Sequence, residues 1–145
     1  MAVAAPVEPT WPLVIKTKRS FGHHVMRVSL EGPSGKEIQK SLLVDTGATE
    51  VILPASMAKS LGYDLDRLEE TAVQTANGVI GAWRGKLTSL GLTRTDRSEV
   101  LRRVNVIFVS DSALGETALL GMNVLRNYNV TFVDSANEIR LDKRH

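Results

Sequence analysis

Leu42-Leu43-Val44-Asp45-Thr46-Gly47-Ala48-Thr49, followed after Glu50 by Val51-Ile52-Leu53-Pro54, sets one acidic residue between two apolar runs. An apolar strand delivers a carboxylate at its end, and the small residues behind it let the chain turn sharply without side-chain bulk. Asp45 is therefore expected to be held at a buried edge. A plain alternative is that Asp45 caps a turn after a strand, with Thr46 and Gly47 completing it. That reading leaves the downstream sequence unexplained.

Working outward, the apolar runs are short and bounded by Gly, Pro, Asn or Asp, the pattern of many short strands with turns between them. The chain reads as mainly β. Over 24–31, Met26, Val28 and Leu30 alternate with Arg27, Ser29 and Glu31, which predicts a strand buried on one face. Gly32-Pro33-Ser34-Gly35 turns the chain, and a second strand from Glu37 leads into the Asp45 segment. Further strands are expected over 71–76, 79–92, 104–109, 129–133 and 138–141, the last two as a hairpin. Pro54 is placed to open a short helix and Gly62 to close it after Leu61, and a second helical segment spans 121–127. Residues 1–12, rich in Ala and Pro, are set apart as a flexible N-terminal segment from one domain over 13–145.

Three later segments extend the pattern. Thr75-Ala76-Asn77-Gly78-Val79-Ile80-Gly81 carries Asn77-Gly78, a strong type I′ turn signal, between strand-like flanks. Ala118-Leu119-Leu120-Gly121 is an apolar run ending on glycine, and Met122-Asn123-Val124-Leu125 follows it. In this order, and with Asp45-Thr46-Gly47, these segments resemble the retropepsins, the family of retroviral aspartic proteases and their cellular and bacterial relatives. The resemblance runs over about residues 25–141.

The resemblance implies a single-lobe acid protease fold: a closed, barrel-like β lobe with a flap hairpin and one short C-terminal helix. It implies an aspartic endopeptidase acting on a polypeptide substrate, with Asp45 catalytic and Thr46, Gly47 and Ala48 forming the active-site loop. Asn77, Gly78, Val79 and Ile80 would close over the peptide as a flap. Ile52 and Leu119 would line side-chain pockets, although core packing serves equally well for each, and Leu120 and Gly121 would thread beside the active-site loop. Thr46 would hydrogen-bond across a dimer beneath the carboxylates, and Gly47 would offer its backbone to the substrate.

Hydrolysis of this kind needs two carboxylates sharing one proton, because like charges about 3 Å apart do not both ionise easily. One Asp-Thr-Gly is present, so a homodimer is the simplest way to supply the second. Asp111-Ser112-Ala113 and Asp134-Ser135-Ala136 imitate the motif faintly, but neither has Gly in third place, and one lobe-length of chain leaves no second lobe. Two positions depart from many retroviral enzymes, which place an Asp and an Arg where Thr49 and Met122 stand here. Both members of that ion pair are absent together, so no lone buried charge remains. The rival reading is a catalytically weak module kept for dimerisation or peptide capture, against which the intact Asp45, Thr46 and Gly47 count.

Composition narrows the rest. In 145 residues, 43% are hydrophobic and 23% charged, as in an ordinary folded domain. Eighteen Lys and Arg against 16 Asp and Glu leave +2, too little to imply a nucleic-acid partner. Arg94, Arg97, Arg102 and Arg103, interleaved with Asp96 and Glu99, read as a solvated loop face. There is no cysteine, which removes disulfide scaffolds, thiolate nucleophiles and Cys-type zinc sites. His23-His24 lacks a third metal ligand nearby and reads as exposed strand histidines; no metal or cofactor is expected. No run approaches a membrane span, the opening residues lack signal-peptide features, and no compartment is indicated.

Overall fold

The computed structural model describes residues 11–75, 78–92, 99–114 and 117–144. Its strands are β1 (Leu13–Lys16), β2 (Lys18–Ser20), β3 (His23–Glu31), β4 (Glu37–Val44), β5 (Val51–Pro54), β6 (Glu69–Thr75), β7 (Gly78–Gly91), β8 (Val100–Val109), β9 (Leu119–Leu120), β10 (Tyr128–Val133) and β11 (Glu138–Lys143). The helices are short: α1 (Ser56–Leu61), α2 (Asp111–Leu114) and α3 (Met122–Leu125). A mainly β chain is what the spacing of turn residues predicts.

Eight strands form one sheet in the order β2-β3-β4-β9-β5-β8-β7-β6. A second pairing closes it, because β3 also meets β7 through Ser29↔Gly91, Leu30↔Leu90 and Glu31↔Ser89. Strands β3, β4, β9, β5, β8 and β7 therefore make a continuous ring, which leaves no free edge among them. Parallel pairings of β4 with β9 and of β5 with β8 interrupt an otherwise antiparallel arrangement. A smaller sheet, β1-β11-β10, covers one end.

Inward-facing side chains fill the ring. Met26, Val28 and Leu30 of β3 are buried as their alternation requires, and they meet Leu42, Val44, Leu53, Leu87, Val106, Phe108 and Leu120 in one core. The hairpin of β10 and β11 adds Ile139 and Leu141 to it. Trp11 packs from the opening segment onto Tyr128, with ring centroids 6.0 Å apart. Residues 1–10 lie outside the described residues.

Several local expectations change once the sheet closes. Ser29, expected on the solvent face of β3, is buried because β7 crosses there, and its hydroxyl accepts a hydrogen bond from Gln39. Pro54 does not open the helix. It ends β5, paired with Val109, and the ladder bond that proline lacks a donor for is made one residue on, from Ala55 N–H to the Val109 carbonyl at 2.7 Å. Gly62 does end α1 as expected, at φ +98, a conformation that favours glycine.

Glu99 is a further correction. It is buried, and its carboxylate accepts a hydrogen bond of 2.7 Å from the Tyr128 hydroxyl, whose own ionisation is pushed up by burial and by that carboxylate. Arg102 and Arg103 are exposed on β8, while Arg94, Asp96 and Arg97 lie outside the described residues. Among the described residues no helix is long and apolar enough to cross a membrane.

Candidate active site

Asp45 follows directly on β4, and its backbone is gripped from the side. Leu43 N–H donates to the Ala118 carbonyl at 2.8 Å and Asp45 N–H to the Leu120 carbonyl at 3.0 Å, so β9 and the residue before it hold the end of β4 where it runs into the loop. The carboxylate is aimed by its own loop: Asp45 Oδ1 accepts the Gly47 N–H at 2.8 Å, and the Asp45 carbonyl accepts the Ala48 N–H at 3.2 Å. This is a turn stabilised by an aspartate side chain, as the plain reading of Asp45 required. It also leaves the carboxylate on the wall of a cleft.

That cleft has a volume of about 470 Å³. Asp45, Gly47 and Ala48 line it from the loop, Ile52 and Leu119 from β5 and β9, Val73 and Ile80 from the β6–β7 hairpin, and Ile107 and Val109 from β8. Ile52 and Leu119 are also register partners, so strand pairing itself brings them together. Leu120 is fully buried, and Gly121 lies against the backbone of Glu50.

The hairpin suggested by Asn77-Gly78 is present, with Thr75 opposite Gly78 closing its ladder. Gly78, at φ +115, opens the returning strand rather than ending the turn. Val79 points outward at 66% exposure, while Ile80 faces the cleft. Asn77 lies outside the described residues. Thr46 does not line the cleft; it lines a second hollow of about 310 Å³ with Gly22, His23, His24, Val44, Asp45, Phe132 and Asp134.

Backbone bonds tie α3 to the loop where many retroviral enzymes use an ion pair. Met122 N–H donates to the Ala48 carbonyl at 2.8 Å and Asn123 N–H to the Thr49 carbonyl at 2.9 Å. The Asn123 side chain bridges further, accepting from Val51 N–H at 3.1 Å and donating to the Asn105 carbonyl at 2.8 Å. Neither Thr49 nor Met122 needs a charge for this contact.

The two imitations of the motif are occupied elsewhere. Asp111 accepts the Ser56 N–H at 3.0 Å near the start of α1, and hydrogen bonding from the Ser56 side chain first, then from that N–H, holds its carboxyl below the usual range. Asp134 stands 2.7 Å from His24 Nε2 and 2.9 Å from Arg19, and these partners, His24 foremost, hold its carboxyl low. His24 was expected to be exposed and is instead buried, with Nδ1 2.6 Å from the Thr17 hydroxyl. The alternation of β3 contained this result, since residue 24 is in phase with 26, 28 and 30. His23 faces outward, and among the described residues no three His, Cys, Asp or Glu side chains gather into a metal-binding group.

One charged pair on the cleft wall carried no sequence signal. Glu50 Oε1 and Arg84 Nη1 lie 2.9 Å apart, with the second Glu50 oxygen buried and without a hydrogen-bond partner among the described residues. The two residues are 34 positions apart, Glu50 in the loop just before β5 and Arg84 on β7, so no local spacing announces them.

Two of the depressed carboxyls predict acid behaviour. Glu138 is held low by Lys16 at 2.9 Å, then by Arg140 at 3.0 Å, and Asp134 by His24 and Arg19. A carboxyl whose folded pKa is depressed stabilises the fold above its unfolded value, near 4, and loses that contribution as pH falls through the folded value. Thermal midpoints measured below about pH 4 should therefore drop steeply for the natural chain. An Asp134→Asn, Glu138→Gln double variant should show a shallower slope over that interval, and an unchanged slope would contradict the assignment.

Comparison with known proteins agrees with this geometry. The family model described as "gag-polyprotein putative aspartyl protease" matches residues 34–127. Among solved structures, a retropepsin-like aspartic protease from Rickettsia conorii superposes with a TM-score of 0.66 at 24% identity, covering 92% of this chain and 100% of that one. No curated protein matches significantly. With an acidic loop gripped by β9, a hairpin lining a mainly apolar cleft and a family match across most of its length, the chain belongs to the gag-type, retropepsin-like family of aspartyl proteases.

Proposed function

We propose that this protein is an aspartic endopeptidase whose catalytic pair is Asp45 and the Asp45 of a second copy. The observation that carries the reading is the placing of one aimed carboxylate on the wall of a cleft otherwise lined mainly by apolar side chains and roofed by a hairpin. In the dimer the two carboxylates share one proton. The ionised member takes a proton from a water as that water attacks the scissile carbonyl, and the protonated member polarises the carbonyl oxygen.

The remaining residues take supporting roles in this reading. Thr46 bonds across the dimer beneath the pair, Gly47 and Ala48 meet the substrate backbone, and Asn77, Gly78, Val79 and Ile80 close over it and exclude bulk water. Ile52 and Leu119, with Val73, Ile107 and Val109 beside them, favour apolar substrate side chains next to the cleaved bond. Leu120 and Gly121 hold the loop from behind.

Because half of the catalyst comes from each copy, activity must follow dimer concentration. Cleavage of a denatured protein at pH 5 to 6 is expected to show a specific activity that declines on dilution, in step with the mass measured by sedimentation. Constant specific activity from a particle of monomer mass throughout would overturn the proposal.

A further inference from the structure

The hollow on the other side of Asp45 from the cleft is unexplained by substrate binding, and an unusual residue stands at its rim. Phe21 is 100% exposed. It also sits at φ +49, followed by Gly22 at φ +83, in the two-residue turn between paired Ser20 and His23. Turns of this hand favour Asn, Asp or Gly at both central positions, and leaving a phenylalanine ring in water forgoes roughly 1.5–3 kcal/mol of burial. Within a single copy the residue is unfavourable on both counts.

The turn is nonetheless built firmly. Arg19 donates from its guanidinium to the Gly22 carbonyl at 2.6 Å and pairs with Asp134 at 2.9 Å, while Asp134 also meets the buried His24. The ring of Phe132, 42% exposed, lies 5.5 Å from the His24 ring and forms one wall of the hollow. The turn that carries Phe21 is thus held in place next to a hollow with an aromatic wall, with Arg19 and Asp134 paired to each other.

We propose that the Phe21-Gly22 turn and the hollow formed by Val44, Thr46, His24 and Phe132 are the seam against which a second copy of this chain docks. The inference rests on the reading that Asp45 works with a mate. Asp45 lines both the cleft and the hollow, and it stands on the wall between them. Because Thr46 and Asp45 both line the hollow, a second carboxylate brought within about 3 Å of Asp45 can set its own loop alongside Thr46, at the hollow. A two-fold contact must be self-complementary. Gly22 and His23 line the hollow whose rim carries Phe21, so knob and hole lie side by side on one surface, and the phenylalanine of each copy can enter the hollow of the other. An aromatic anchor in a desolvated pocket is the kind of contact that dominates interface energy.

The test compares the natural chain with Phe21→Asn, which suits the turn, and with Phe21→Asp, by sedimentation over a dilution series and by thermal unfolding. Both variants should keep the fold and at least the monomer's melting behaviour, while their dimer dissociation constants rise tenfold or more. Their cleavage activity should be lost at low concentration and recovered when two copies are joined in one polypeptide by a flexible linker. A natural dimer with variants of equal affinity would overturn the seam and leave the protease reading standing. A natural chain that is monomeric at every concentration would overturn both. Weakened dimers from a chain that cleaves nothing at any concentration would uphold the seam and remove the catalytic reading.

Discussion

Asp45→Asn is expected to abolish peptide hydrolysis, by about 10³-fold or more, while leaving the fold intact. The replacement is isosteric, and an asparagine side-chain oxygen can still accept the Gly47 N–H that now reaches Asp45 Oδ1 at 2.8 Å. The loop therefore keeps its shape. What disappears is the proton chemistry of the proposed mechanism, because an amide neither takes a proton from water nor gives one to a carbonyl oxygen. In a homodimer one substitution removes both halves at once. Cleavage rates on a denatured protein at pH 5 to 6, set beside circular dichroism and thermal midpoints, separate the two effects. Equal rates from both proteins with equal stability would end the protease reading. Adding excess variant to the natural chain should also quench its activity beyond simple dilution, since mixed dimers carry a single carboxylate.

Gly121→Ala is expected to damage the fold itself. A Cβ at this position would lie 2.6 Å from the Glu50 carbonyl carbon and 2.8 Å from the Glu50 nitrogen, and closer still to the oxygen. These are backbone atoms, so no side chain can swing aside. Both flanks are also pinned, through Met122 and Asn123 bonded to the carbonyls of Ala48 and Thr49 on one side and through β5 on the other. Relief requires α3 to lift away from the Asp45 loop. Overpacking of this kind costs about 3 kcal/mol, a large share of the roughly 5–15 kcal/mol that holds a domain together. For a chain of this size that corresponds to a drop in melting temperature of roughly 10 °C. Gly81→Ala is the matched control, because nothing lies within 4 Å of a Cβ there. If the two variants melt together, the close approach of Gly121 to Glu50 is not as described.

The candidate site was legible in outline because its signals are local. Asp45 after Leu42-Leu43-Val44, the turn near Asn77-Gly78 and the helix stop at Gly62 each depend on the conformations of a few adjacent residues. Ile52 and Leu119, which line the cleft, stand out in the sequence as apolar neighbours of the motifs, although the sequence leaves open whether they serve a pocket or the core. Glu50 and Arg84 were not foreseen, nor were the partners of His24. These contacts join residues 34 and 110 positions apart, and each residue taken singly looks like ordinary surface chemistry.

From the sequence alone came the things that hydrogen-bond period and backbone torsion dictate: a mainly β chain, the inward set of Met26, Val28 and Leu30, and a strand that ends in an acidic turn. Tertiary structure decided the rest. Closure of β3 onto β7 buried Ser29, the seating of Gly121 on Glu50 tied α3 to the loop, and the packing around that loop put Asp45 in the lining of both the cleft and the second hollow. The physical reason is chain closure. Which distant segments meet depends on how the whole ring shuts, and only then does burial determine whether a histidine is solvated or a carboxylate is held.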